Sequence, residues 1–202
     1  MMKKQAILLL AVAMTLGTGI TAHAQYRAAL LIVGTLGDKG FWDSAYNGLN
    51  ELEEELGEDV FSFDVQEMGR DTTGYLDYYL DACEDDYDLI VTGTWESVTP
   101  LNEAMEEFPD QKFLMFDDVY DFSEGKGENL YNLLFKQNEV SYLVGAEAAL
   151  ISETGIISFL GGTDGNVIND FLVGYIQGAM ETNPDVQVAV SFVGNYDDSA
   201  KG

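Results

Sequence analysis

From residue 26 onward, short apolar runs alternate with longer segments whose apolar residues recur at helical spacing. The runs 28–33, 60–65, 88–92, 112–117, 130–135, 155–160 and 186–193 predict strands. Between them, Ala45, Leu49, Leu52 and Leu56 form one helical stripe, with Glu51, Glu53, Glu54 and Glu55 turned largely away. Leu76, Tyr79, Leu80 and Cys83 form a second stripe, in which Cys83 reads as a small core residue. A third stripe, Leu101, Ala104, Met105 and Phe108, follows Thr99 as the expected cap and Pro100 as the expected first helical residue. A fourth helix over about 140–151 is apolar nearly all round and carries Gly145, Ala146, Ala148 and Ala149, so it is expected deep between layers. A fifth, about 169–182, should bury Phe171, Leu172, Tyr175, Ile176 and Ala179.

Strand and helix in strict alternation imply a parallel sheet covered by helices on both faces, an α/β fold. The polar, glycine-containing segment 121–129 (DFSEGKGEN) reads as a boundary. A second strand–helix–strand series starts at Gly155 and holds only two strands. Two parallel strands with one crossover enclose little core, so the chain reads as a protein cut off within its second domain.

Residues 1–24 stand apart from this pattern. Lys3 and Lys4 precede the apolar stretch 6–20, and Ala22-His23-Ala24 reads as an A-x-A cleavage site. The expectation is an export signal, a mature chain starting at Gln25 and no membrane insertion after cleavage. Removing Lys3, Lys4 and His23 takes the nine bases to seven against 36 acids, and the formal charge from −27 to −29. The mature chain then has no histidine and one cysteine. That excludes Ser-His-Asp triads, Cys-His pairs, His-ligated metals and internal disulfides. Nucleic acid is excluded as a partner by sign, since binding it requires Lys and Arg to neutralise phosphates.

Ligands of open α/β sheets collect beyond the carboxyl ends of the strands. There the sequence places 34–43 (GTLGDKGFWD), 92–95 (TGTW), Asp117-Asp118, 161–166 (GGTDGN) and 194–198 (GNYDD). The glycine-rich 161–166 fits neither phosphate-binding signature. The acidic run 81–88 lacks the ligand spacing of a calcium loop. Aromatic rings and carboxylates without a nucleophile–base pair suit binding of a flat, hydroxylated, uncharged molecule, not catalysis. No cofactor is called for.

Six segments in register carry a family resemblance: GDKGFWDSAYNGL (37–49), FPDQKFLMFDD (108–118), NEVSYLVGAEAALIS (138–152), TGIISFLGG (154–162), NDFLVGYIQGA (169–179) and VGNYDDSAKG (193–202). Together they are similar to the basic membrane protein family, substrate-binding proteins of ABC importers that include the purine nucleoside receptor. The resemblance implies a periplasmic-binding-protein type I-like fold of two Rossmann-like lobes, here 25–137 and the start of a second lobe at 138–202. It also implies a nucleoside clamped between them and ABC permease subunits as partners. Phe41 and Tyr196 would stack on the base, Asp38 would contact it or its surroundings, and Asp117 would accept from ribose hydroxyls. Tyr196 stands where relatives usually have Phe, and Trp42, also expected among the ligand-binding residues, where they often have Asn. Relatives are commonly lipoproteins, whereas no cysteine follows this signal, so an exported protein without a lipid anchor is expected. Relatives also continue further, so a chain ending at Gly202 would hold a half-built cleft and bind weakly. The same fold binding a cationic amine, a carboxylate-pair hydrolase using Asp38 and Asp117, and a remnant without function are the competing readings.

Overall fold

The computed structural model describes residues 25–37, 39–123, 127–196, 198 and 200–201. The expected signal segment and Asp38 lie outside these residues. Strands β1 (Tyr26–Ile32), β2 (Phe61–Glu67), β3 (Leu89–Gly93), β4 (Phe113–Phe116) and β5 (Leu130–Leu133) form one sheet in the order β2-β1-β3-β4-β5. All its pairings are parallel. Helices α1 (Phe41–Leu56), α2 (Tyr75–Glu84) and α3 (Val98–Glu107) cross between β1, β2, β3 and β4 in turn. Strands β6 (Ile156–Gly161) and β7 (Gln187–Phe192) pair in parallel as a second, two-stranded sheet. Helix α4 (Gln137–Ile151) precedes β6, and α5 (Asn166–Thr182) crosses from β6 to β7.

The continuous apolar runs do mark central strands. Residues 28–33 and all of β3 are buried, because helices cover both faces there. At the sheet edges the same logic fails. Strands β2 and β5, at the two edges, mix buried, half-buried and exposed positions, because the cover over each face thins there. The main core gathers Leu30, Leu31, Ile32, Tyr75, Tyr79, Leu101 and Phe113, with Cys83 among its buried members as the stripe foretold. Around β6 and β7 the buried hydrophobic cluster among the described residues is small: Ala149, Ile157, Tyr175 and Ala179.

Four expectations need correction. Helix α3 starts at Val98, not after Thr99, and follows directly from a 3₁₀ turn at Trp95–Ser97. Thr99 and Pro100 thus sit inside the first turn, where a missing N–H breaks no helical bond. Segment 121–129 is no domain boundary, because β5 beyond it pairs with β4 in the same sheet.

Helix α4 is not sandwiched between layers. Val140, Leu143, Val144, Leu150 and Ile151 are exposed, and only Ser141, Gly145 and Ala149 are buried. Its apolar composition hid a narrow contact stripe. A Cβ on Gly145 would lie 2.0 Å from the Tyr175 carbonyl oxygen, and one on Gly178 only 1.9 Å from that of Tyr142. The two helices therefore meet backbone to backbone, which only glycine permits. Finally, in α5 the fully buried face is Gly174, Tyr175, Gly178 and Ala179, whereas Phe171, Leu172 and Ile176 are half-buried.

Candidate functional site

A cavity of about 390 Å³ opens between the carboxyl ends of the two sheets. One side is built by Val33, Phe41, Trp42, Arg70, Thr94–Glu96, Asp117 and Asp118. The other is built by Thr163, Gly165–Ile168, Phe171 and Tyr196. Its size falls within the roughly 300–1,000 Å³ of small-molecule pockets.

The loop that delivers Phe41 and Trp42 is tied down from both ends. Gly34 and Gly69 exchange backbone hydrogen bonds of 2.7 and 3.1 Å, joining the ends of β1 and β2. The Asp43 carboxylate accepts from the backbone N–H of Gly37 at 2.7 Å and of Lys39 at 2.9 Å. Helix α1 consequently begins at Phe41 with its first turn facing the cavity. Trp42 turns into the core, while Phe41 stays half-buried. Their rings meet edge to face at 5.1 Å, and Phe116 backs both at 5.3 and 5.6 Å. Phe116 reaches that place by lying over Gly93, where a Cβ would come within 2.9 Å of its ring. The aromatic platform therefore depends on a glycine at the register position beside Phe116 on the neighbouring strand.

Across the cavity, Tyr196 is half-exposed and rests on Gly162, where a Cβ would intrude to 2.3 Å of the ring. Its hydroxyl bonds the Thr163 hydroxyl at 3.0 Å. Phe41 and Tyr196 thus face one cavity from opposite sides, each with its ring partly uncovered.

Asp117 adopts φ = +66°, a left-handed conformation that turns the chain sharply at the end of β4. The turn is pinned by Asn132, which donates to the carbonyls of Met115 (3.2 Å) and Asp118 (3.0 Å). Burial, and secondarily the neighbouring Asp118, push the Asp117 carboxyl up from 3.8 to about 6. It is therefore a carboxylate at neutral pH that lacks good solvation and gains from hydroxyl donors. Glu96 and Asp118 add acid to the lining, and Arg70 is its basic member. The Arg70 guanidinium lies over Gly34, its Nε 3.2 Å from where a Cβ would stand.

Of the residues expected at the site, Phe41, Trp42, Asp117 and Tyr196 all line this cavity, and Asp38 lies outside the described residues. The strand-end segments 92–95 and 161–166, from which the sequence singles out no residue, supply Thr94, Trp95, Thr163 and Asn166 to the lining. Arg70, just beyond the end of β2, is a lining residue outside the segments expected from the sequence. The strand-end rule applied to Gly69-Arg70 would have found it. Phe171 was assigned to the core because helical spacing marks a face without saying what that face meets.

A parallel sheet of order β2-β1-β3-β4-β5, facing a second parallel unit across a cavity at their strand ends, defines the periplasmic-binding-protein type I class. Residues 25–202 match the family model of the PnrA-like ABC transporter substrate-binding proteins, and the chain belongs to that family. It is 29% identical to basic membrane protein A of Borreliella burgdorferi over 186 residues, 92% of this chain and 53% of that protein. It is 27% identical to the ABC transporter nucleoside-binding protein BmpA of Lactococcus lactis, over 92% of this chain and 52% of the relative. Among solved structures, an ABC transporter solute-binding protein of Aeropyrum pernix superposes with a TM-score of 0.74 at 26% identity, covering 88% of this chain and 50% of that one. A periplasmic solute-binding protein of Actinobacillus succinogenes with bound D-allose shares the fold at 19% identity and a TM-score of 0.65, over 83% of this chain and 59% of that one. The chain spans about half the length of the curated relatives it matches. No helix among the described residues is long and apolar enough to cross a membrane.

Proposed function

We propose that this chain is the ligand-binding part of an exported solute-binding protein serving an ABC importer, and that its ligand is a nucleoside. In this reading 1–24 is the export signal, 25–137 the first lobe and 138–202 the part of the second lobe that bears Tyr196. The base lies between the rings of Phe41 and Tyr196, and the Asp117 carboxylate accepts from the ribose hydroxyls. By the family resemblance Asp38 would contact the base or its surroundings, and Trp42 lines the cavity beside Phe41. Ligand contacts to both sides favour the closed arrangement, which is the form an ABC permease would recognise.

The observation that carries this reading is that Phe41, Asp117 and Tyr196, far apart in sequence, line the same cavity. An aromatic ring stacked on a base is worth ~1–3 kcal/mol, and two rings with one desolvated carboxylate suffice for selective binding. The family membership and the nucleoside-binding name of the Lactococcus relative support the same ligand class.

Titration of the chain with inosine, guanosine and adenosine, followed by calorimetry and thermal melting, tests it. Heat of binding and a raised melting temperature with at least one nucleoside are expected. The absence of both at millimolar nucleoside overturns the reading. A second reading, a cationic amine held by the same rings, is favoured by Glu96, Asp117 and Asp118 in the lining. Binding of a cation would weaken steeply with salt, whereas binding of an uncharged nucleoside would not.

A further inference from the structure

Three hydroxyl side chains crowd the end of β3, and two of them are accounted for. Thr92 Oγ1 meets the Tyr79 hydroxyl at 2.6 Å and Ser97 Oγ at 3.0 Å, and Ser97 Oγ donates to the Gly93 carbonyl at 2.7 Å. Thr94, between them, is the exception. Its Oγ1 is shielded from solvent and has no hydrogen-bond partner; among the described residues only Gln137 Oε1 shares that condition. Leaving a buried hydroxyl unpaired costs about 1–3 kcal/mol.

The backbone of Thr94 is costly too. With φ = +71° and ψ = +163° it occupies a region that is essentially glycine's, and a β-branched residue fits it badly. The surroundings impose this conformation: Thr94 N–H donates to the Phe116 carbonyl at 3.1 Å, and the Thr94 carbonyl accepts from Ser97 N–H at 3.3 Å. Glycine would remove both costs, so a threonine here needs another reason. Such strain collects at ligand sites, and Thr94 lines the cavity.

Its place relative to Asp117 supplies the reason. Gly93 and Phe116 are register partners in β3 and β4, so Thr94 and Asp117 leave adjacent strand ends side by side. Both have positive φ, and both line the same cavity. The two residues bring a hydroxyl and a poorly solvated carboxylate to one part of the cavity lining, two hydrogen-bonding groups for a ligand with two neighbouring hydroxyls. A vicinal diol carries two adjacent hydroxyls, each able to donate and to accept, and so can engage both groups at once.

We propose that Thr94 is a specificity-determining residue that, together with Asp117, reads the vicinal diol of a ribose, so that the site takes ribonucleosides and rejects their deoxy analogues. The inference rests on the nucleoside reading above and sharpens it. Discrimination follows because an analogue lacking one hydroxyl leaves a buried protein group unpaired.

The test compares adenosine with its 2′-deoxy and 3′-deoxy analogues by calorimetry on the wild-type chain, Thr94→Val and Thr94→Ser. The wild type is expected to prefer adenosine to at least one analogue by about tenfold, T94V to lose that preference through weaker adenosine binding alone, and T94S to keep it. Without ligand, T94V should melt no lower than wild type, because no hydrogen bond of the fold is lost. Binding of adenosine and both analogues with equal affinity by the wild type overturns this proposal and leaves the nucleoside reading standing. An unchanged preference in T94V, an equal loss for all three ligands, or a lower ligand-free melting temperature that T94S restores also overturns it. No binding of any of the three by the wild type overturns the nucleoside reading with it.

Discussion

Replacing Asp117 with asparagine separates what this carboxyl costs the fold from what it gives a ligand. Its protonation is pushed up from 3.8 to about 6, chiefly by burial and then by Asp118. Between those two values the folded protein holds a proton that the unfolded chain has released. Stability attributable to this group is therefore greatest below the lower value, falls as pH rises through the window, and is fully forfeited above the upper one. A shift of about two units corresponds to roughly 3 kcal/mol if the group were wholly shut off from water. Asp117 is only half-buried, and screening reduces the figure to about 1 kcal/mol. Asparagine keeps the shape, tolerates the left-handed backbone and carries no charge to desolvate. D117N is thus expected to be more stable than wild type by about 1 kcal/mol near pH 7 and equal to it near pH 4. Urea denaturation at several pH values between these limits measures the difference. With 36 acidic residues repelling one another, each curve alone is dominated by net charge, and only the gap between the two proteins reports on position 117. A gap that stays flat across the window, or a mutant less stable at neutral pH, refutes the reasoning. Nucleoside affinity should move the other way, falling by about tenfold at neutral pH, since the charged acceptor is what the hydroxyl donors prefer.

Tyr196→Ala should leave the melting temperature near that of wild type, because the residue is 51% exposed, yet weaken nucleoside binding by about tenfold or more in calorimetry. Gly178→Ala forces a methyl to within 1.9 Å of the Tyr142 carbonyl oxygen. Separating the helices should cost about 1–3 kcal/mol, and hydrogen exchange should show protection lost in α4 and α5 while β1 and β3 stay protected. Cys83, buried and with its thiol pushed up to about 12, should resist a disulfide reagent in the native protein at mildly alkaline pH and react fully in denaturant. Rapid native labelling would show that α2 does not pack as described.

Asp117 and Thr94 show how far the chain pattern reaches. Every strand was legible as an apolar run bounded by turn residues, and each lies within two or three residues of its expected limits. The order of elements was enough for a parallel sheet, and the strand-end rule led to the segments that hold Phe41, Asp117 and Tyr196, which the family resemblance then singled out. Such features are local: periodicity is written in the residue order, and the carboxyl end of a strand is defined once the strand is.

What depended on packing could not be read the same way. The sequence of α4 looks like that of a fully buried helix, but how much of it is covered depends on which elements lie around it, and here α5 touches one glycine-lined stripe. Segment 121–129 has the composition of a linker, yet hydrogen bonding of β5 to β4 makes it a loop within one sheet. The strain at Thr94 has no signature in residue type either. Threonine is ordinary beside a strand, and only the bonds from Phe116 and Ser97, made by a neighbouring strand and the following turn, hold it in glycine's conformation. The residue order determined the elements and which strand ends could meet a ligand, because those follow from spacing along the chain. The tertiary structure decided which apolar faces are covered, which polar atoms go unpaired and which carboxyl is poorly solvated, because each is a property of what comes near it in space.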